Sequence, residues 1–374
     1  MSVTLQTVRQ RLGLAAGAAV IITLALPAAA LAQAPAGSAS RWTVEVYGGA
    51  ASNKDSSNGS AGAAFPAGAP FTTAANTPSR LQPSWYFGDG STMLNQVIAA
   101  FSTLTGTTLD RIVPVDAAIT TSATGRKSGG TFGLRVGRSL SAKLAVEFSA
   151  ERNTGGQAFT DEALASLETT RASFRNAFQE LLETAPVTAL SVSSTLATRG
   201  GSSSQTRLVG AVRYSLVSGG RTSAYVLAGG GMVMNGTNEL QAILTGGYSF
   251  RMYGAFPLTE LDRAVITVTS PSSSALGLVG GGVTYDFSSN VGLRVDVRLA
   301  LSPNGDEVSI TGAPSVTAGV PPNVLPAVTT PAVQFSTIPG VPSSLGATVP
   351  AHTTFIGSGM NRQVSFTVGI FRRF

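Results

Sequence analysis

The 374 residues include no cysteine, which excludes disulfides, thiolate metal sites and thiol nucleophiles. Lys and Arg (25) exceed Asp and Glu (19) by +6, but the excess is scattered, with no basic cluster interleaved with aromatics to suit a nucleic acid. Only 12% of residues are charged, yet past residue 33 no long unbroken apolar run occurs, so no helix spans a bilayer and the apolar character needs another outlet.

Residues 1–32 read as a cleaved secretory signal. Arg9 and Arg11 supply the positive start, Leu12 to Leu26 the apolar core, and Ala30-Leu31-Ala32 the small-residue site, with cleavage before Gln33. Pro27 and the small residues after it argue against an anchor, and no Cys follows for a lipid. The mature chain, 33–374, loses two positive charges and keeps 6 − 2 = +4.

Strand-like alternation then recurs along the chain. A first strand near Arg41 to Ala50 sets Trp42, Val44 and Val46 against Thr43, Glu45 and Tyr47. A second, Gly130 to Leu140, sets Phe132, Leu134 and Val136 against Thr131, Gly133, Arg135 and Gly137, and turns at Ser141-Ala142. The third has Leu144, Val146, Phe148 and Ala150 opposite Ala145, Glu147, Ser149 and Glu151. In the fourth, Thr206 to Val217, Leu208, Val212, Tyr214 and Leu216 oppose Arg207, Val209, Ala211 and Arg213, before a turn at Ser218-Gly219-Gly220. The fifth, Thr222 to Met234, is Gly-rich and of ambiguous parity, with Tyr225 and Leu227 assigned outward. The sixth, Leu276 to Phe287, points Val279, Val283, Tyr285 and Phe287 outward and Gly280, Gly282, Thr284 and Asp286 inward, then turns at Ser288-Ser289-Asn290. The seventh alternates most cleanly, with Leu293, Val295, Val297, Leu299 and Leu301 against Gly292, Arg294, Asp296, Arg298 and Ala300. The eighth is the C-terminal stretch, with Val364, Phe366, Val368, Ile370 and Phe374 on one face and Ser365, Thr367, Gly369 and Arg373 on the other.

Strands with an apolar outer and a polar inner face suit a barrel in lipid, and the alternation of tight turns with long connections is its up-and-down layout. The ending resembles the last strand of bacterial outer-membrane β-barrel proteins: Phe366, Val368, Ile370 and Phe374 match the signal read by the barrel-insertion machinery. Arg372 departs from that pattern on the apolar face, close enough to the end to snorkel. The strands are similar to the small eight-stranded class, of OmpA, OmpX or OmpW type, which implies an all-β fold, a transmembrane antiparallel barrel and a Gram-negative outer-membrane location. The loops match nothing in that class, and no peptidoglycan-binding domain is expected after the last strand.

The long connections are 51–129, 152–205, 235–275 and 302–362, expected on the extracellular side. Loops of this length usually hold structure of their own. Leu94, Val97, Ile98 and Phe101 have helical spacing, as do Leu164, Leu167, Phe174, Phe178, Leu181 and Leu182 between Thr160 and Thr184, where Thr160-Asp161-Glu162 caps the start and Pro186 follows the end. Such helices need cover and are expected to pack on the rim, on each other or into the mouth. Segments near Val187 to Thr198, Gln241 to Phe250 and Val265 to Thr269 read as further strands, which either extend the barrel above the membrane or raise the count to ten or twelve. Pro303 to Pro350 reads as extended or mobile.

This parity places Glu45, Arg135, Glu147, Glu151, Arg213, Asp286, Arg294, Asp296 and Arg298 in the lumen, with Arg135 facing Glu147. Eight strands leave an interior that such side chains fill, so a salt-bridged plug is expected, with a gated narrow pore as the alternative. Membrane-embedded hydrolases of the barrel class depend on His with Ser or Asp. Here His352 is the only histidine and has no motif around it. Asp89, in Phe87-Gly88-Asp89-Gly90-Ser91, reads as a turn without calcium-loop spacing, and the runs Gly229-Gly230-Gly231 and Gly280-Gly281-Gly282 read as room-making glycines within strands. The expectation is a monomeric, non-enzymatic outer-membrane barrel without cofactor or metal, in contact with outer-membrane lipid, serving structure and surface recognition through loops open to an extracellular ligand. A small-solute pore is the second reading, and a hydrolase centred on His352 the third.

Overall fold

The computed structural model describes residues 42–54, 59–60, 70–72, 78–80, 84–115, 124–201, 204–236, 239–252, 258–303, 305–312, 315–318, 352–357 and 359–374. In chain order these form β1 (Trp42–Lys54), β2 (Gly59–Ser60), β3 (Pro70–Thr72), β4 (Pro78–Arg80), α1 (Gly88–Thr105), β5 (Thr124–Arg126), β6 (Gly129–Ser139), β7 (Leu144–Asn153), β8 (Gln157–Phe159) and α2 (Asp161–Thr184). There follow β9 (Val187–Gly200), β10 (Gln205–Gly219), β11 (Thr222–Asn235), β12 (Glu239–Met252), β13 (Leu258–Thr269), β14 (Ser273–Asp286), β15 (Val291–Pro303), β16 (Glu307–Gly312), β17 (Ser315–Ala318), β18 (His352–Gly357) and β19 (Met360–Arg373). The signal segment 1–32 and residues 319–351 of the Pro-rich stretch lie outside the described residues.

Eight strands, β1, β6, β7, β10, β11, β14, β15 and β19, close into one antiparallel up-and-down barrel in which β19 returns to pair with β1. Lateral partners followed from Lys54 run through Arg362, Leu301, Gly277, Gly230, Gly210, Phe148 and Val136 and return to β1 at Val44. The stagger is therefore 54 − 44 = 10 residues, which for eight strands corresponds to a tilt of about 43°. The tight turns at Ser141-Ala142 and Ser288-Ser289-Asn290 fall where the sequence places them, while the one expected at Ser218-Gly219-Gly220 closes at Gly220-Arg221, where Gly220 supplies a left-handed φ of 70°.

Period-two alternation is what closes this wall. Val46 is 61% exposed while its neighbour Glu45 is 2% exposed, and the contrast repeats along the strands. On β19 the apolar outward run Val364, Phe366, Val368 and Ile370 is bounded by exposed Arg362 and Arg372. Their ten-residue separation, at ~3.4 Å per residue and this tilt, spans about 25 Å along the barrel axis, the height of a hydrocarbon belt. Trp42, Tyr214, Tyr285, Phe287 and Phe374 are exposed toward the turn end of that belt.

One face assignment is corrected. Tyr225 and Leu227 on β11 point into the lumen, 3% and 4% exposed, and Val226 faces out. Polar partners draw Tyr225 inward, and Gly282 across on β14 leaves it room: a Cβ there would sit 2.4 Å from the Tyr225 hydroxyl.

Above the loop end, the wall continues. The upper sheet runs β2-β18-β16-β13-β12-β9, the order of the barrel strands β1-β19-β15-β14-β11-β10 that carry them, with β17 added beside β13. Likewise β5 and β8 pair above β6 and β7. The extra strands thus extend the wall, and the barrel count stays at eight. Breaks separate the two tiers at Gly200 and Gly201 (φ 77° and 86°), at Ser270-Pro271-Ser272 and at Gly359 (φ 108°). Asp89 lies in the first turn of α1 rather than in a free turn, and β16 and β17 are regular strands within the Pro-rich stretch.

The two helices cover the upper sheet and give this tier its own core. α2 begins at Thr160, whose Oγ1 accepts from Ala163 N (3.2 Å). Its Phe174 and Phe178 stack between Tyr86 and Tyr248, with successive ring centroids 4.6 Å apart, over Leu244, Ile266, Val308 and Ile310. Gly246 makes the close approach possible, since a Cβ there would lie 2.4 Å from the Phe174 ring. Buried Asp262 accepts from Ser84 Oγ (2.9 Å) and Trp85 N (2.7 Å), tying the segment before α1 to β13.

Candidate functional site: the charge-filled lumen

Inward parity on five strands brings a layer of charge to mid-barrel. Glu45 and Arg135 are direct partners on β1 and β6, joined at 2.7 Å. Asp296 is the hub: it meets Arg135 Nη2 (2.9 Å), Arg298 Nη2 (2.9 Å) and Arg294 Nε (3.0 Å), and accepts from the Tyr225 hydroxyl. Arg294 grips Glu147 with both terminal nitrogens (2.6 and 3.0 Å), and Arg213 reaches the same carboxylate at 3.3 Å. One step nearer the loop end, Glu151 is held by Arg207 (3.2 Å) and by the Tyr47 hydroxyl (3.2 Å).

Two tyrosine rings act as partitions between the guanidinium groups. Arg135 lies over Tyr47, and Arg294 over Tyr225, each 4.5 Å from the centroid. Apart from Arg213, these charged side chains are at most 5% exposed. Five Arg against four carboxylates leave 5 − 4 = +1. Desolvation makes such a layer expensive unless each charge is paired, which the shared carboxylates achieve.

Of the sequence-derived lumen set, Glu45, Arg135, Glu147, Glu151, Arg213, Arg294, Asp296 and Arg298 lie in this layer or against it. Asp286 does not. It pairs with Arg373 (2.9 Å) at the turn-end mouth, where both are about one quarter exposed, because its position on β14 lies below the layer. Arg135 and Glu147 are diagonal rather than facing neighbours: Arg135 pairs laterally with Ser149, Glu147 with Gly137, and their side chains come only to 3.8 Å. Tyr47, Tyr225 and Arg207 were missing from the set. Arg207 is the direct register partner of Glu151 and already sat on the inward parity of its strand.

On β10, β11, β14 and β15 the lumen wall carries an apolar cluster, Val209, Leu227, Leu276, Leu278 and Ala300, in which Leu227 is the lateral partner of Arg213. The wall becomes amide-rich at the rim, where Gln363 donates to Asn53 (2.6 Å) and Gln205 to Asn235 (2.9 Å). At the junction with the upper tier, Asp306 accepts from Thr124 (3.0 Å), Gln157 (3.0 Å) and Ser270 (2.7 Å) beside a polar cavity of about 40 Å³, enough for a few waters. Among the described residues no group of three or more His, Asp or Glu is placed to hold a metal. His352 opens β18, and its side chain is outside the described residues.

A closed eight-stranded antiparallel barrel, apolar outside and ion-paired inside, defines a membrane-spanning β-barrel. Among solved structures, the chain is similar to the outer membrane protease OmpT from Escherichia coli, with a TM-score of 0.31 and 9% identity over 89% of this chain and 97% of that one. It is also similar to the monoaromatic hydrocarbon channel CymD, with a TM-score of 0.18 and 10% identity over 94% of this chain and 91% of that one. No protein-family model matches the chain, and no curated protein matches its sequence.

Proposed function

We propose that the protein is a monomeric, non-enzymatic barrel of the outer membrane whose lumen is plugged by its ion-paired layer and whose upper tier is an extracellular recognition surface. The observation that carries this reading is the coincidence of two features in one chain. Every carboxylate of the mid-barrel layer is engaged by at least one guanidinium, while the tier above has an aromatic core of its own. A wall held shut by paired charges is suited to bearing load rather than to passing solute. On this reading the terminal strand, through Phe366, Val368, Ile370 and Phe374, is what the insertion machinery reads.

Single-channel conductance of the refolded protein in planar bilayers tests the plug, with an Arg135→Ala/Arg294→Ala variant measured beside it. The wild type is expected to be silent, with folding verified by a heat-dependent gel shift, and the variant to open. Stable wild-type openings that change with the variant would move the function to solute transport.

A further inference from the structure

The shared carboxylates give every lumen guanidinium a neighbour, yet one positive charge is left over, and its place can be found. Arg207 with Glu151 and Arg298 with Asp296 make two balanced pairs. What remains is Arg135, Arg213 and Arg294 against Glu45 and Glu147, 3 − 2 = +1. These five residues line a single small cavity of about 10 Å³, room for one water-sized occupant. Thr43 and Ser139, both of inward parity, border it toward the turn-end mouth. Arg138 touches its edge but stands on the outward parity, with its guanidinium over Trp42 at 5.5 Å. Glu147 gives both oxygens to Arg294, and Glu45 lies 2.7 Å from Arg135 Nη1, so the carboxylates are directed at terminal nitrogens. Arg135 Nε and Arg213 Nε are buried without a hydrogen-bond acceptor among the described residues, Glu147 coming only to 3.8 Å from the first. The Nε atoms of Arg207 and Arg298 also lack one, but neither residue borders the cavity. An arginine nitrogen can only donate, so the cavity joins the surplus charge to two donors in want of an acceptor.

We propose that this cavity binds one small monovalent anion, a halide such as chloride, between Arg135 and Arg213 as an integral part of the plug. A water accepting from both nitrogens would leave a buried charge uncompensated. A halide takes the same two donors and brings the layer to 1 − 1 = 0, which is what a set of desolvated charges requires. The cavity volume selects for a single compact ion over a carboxylate or phosphate. The proposal deepens the plugged-lumen reading and rests on it.

The test titrates the full mature chain, refolded in uncharged micelles, with chloride at constant ionic strength made up by gluconate, and reads binding from the chloride NMR line width. The wild type broadens the line beyond empty micelles. Arg213→Met leaves 5 − 1 = 4 guanidinium groups facing four carboxylates. It is expected to keep the heat-dependent gel shift and to weaken chloride binding about ten-fold or more, the loss of one charge-assisted hydrogen bond. Arg373→Gln removes the mouth cation that pairs with Asp286 and leaves chloride binding unchanged. Binding by Arg213→Met equal to wild type overturns the site. So does a loss from Arg373→Gln as large as that from Arg213→Met, which would mean diffuse attraction at the mouth. If Arg213→Met does not fold, wild-type crystals soaked in bromide decide: an anomalous peak beside Arg135 Nε and Arg213 Nε sustains the site, and its absence overturns it. Stable wild-type openings in planar bilayers overturn the plug on which the site rests. A silent barrel that binds neither halide overturns only the site.

Discussion

Asp296→Asn is the sharpest perturbation of the lumen, because it removes a charge that three guanidinium groups share. Arg135 keeps Glu45 at 2.7 Å and Arg294 keeps Glu147 at 2.6 Å. Arg298 has no ion pair other than Asp296 among the described residues, and its side chain is 4% exposed. The excess charge of the layer rises from +1 to +2, and a buried guanidinium is left uncompensated. Removing one partner from such a pair costs about 3–5 kcal/mol. The second variant is Asp296→Asn/Arg298→Met, which removes the stranded charge and restores +1. It is expected to recover about 2 kcal/mol of the loss, since replacing both members by groups of similar volume is close to neutral. Urea unfolding in vesicles, followed by tryptophan fluorescence and the heat-dependent gel shift, reads both. A single variant within about 1 kcal/mol of wild type, or a double variant no better than the single, would refute the paired-charge account of the lumen.

Gly282→Ala is expected to abolish the folded band, because its Cβ would lie 2.2 Å from Val295 O and 2.6 Å from Asp296 Oδ1, whereas Gly210→Ala, with nothing within 4 Å, folds normally. Refolding yields on gels decide this, and equal yields would refute the packing argument. Phe174→Ala should cost the upper tier about 3–5 kcal/mol and expose it to protease while the barrel keeps its heat-dependent shift. Simultaneous loss of both would show the two tiers to be one cooperative unit.

Much of the barrel was legible because lipid outside and charge inside make the period-two code unambiguous, most clearly on β15, where Arg294, Asp296 and Arg298 alternate with Leu293, Val295 and Val297. The code failed on β11. Tyr225 and Leu227 look lipid-facing by type, and glycines on both parities erase the contrast, so the face is decided across the barrel by Gly282, Asp296 and Arg294 rather than within the strand. The same non-locality explains the lumen. Which residues point inward is a property of one strand, but which carboxylate meets which guanidinium depends on the ten-residue stagger, and that stagger is set by eight registers together. The upper strands were visible as segments, but their sheet was not. Their apolar face, with Leu244, Ile266 and Ile310, is turned inward under α1 and α2, and nothing in a single strand separates helix cover from lipid cover.

The level at which all the wall strands break has an architectural consequence. Below it, β10 and β11 point odd-numbered residues such as Val209 and Leu227 inward; above it, β9 and β12 turn even-numbered ones such as Leu196 and Leu244 toward the core. On β14 and β13 the even positions Leu278 and Ile266 are buried on both sides of the break. The irregular residues at the waist therefore absorb a change of phase in some strands and not in others. The membrane-embedded staves and the body they carry are written in separate frames, so a graft or a one-residue insertion at Gly201 or Pro271 can rewrite the upper tier without moving a single side chain of the barrel from lipid to lumen.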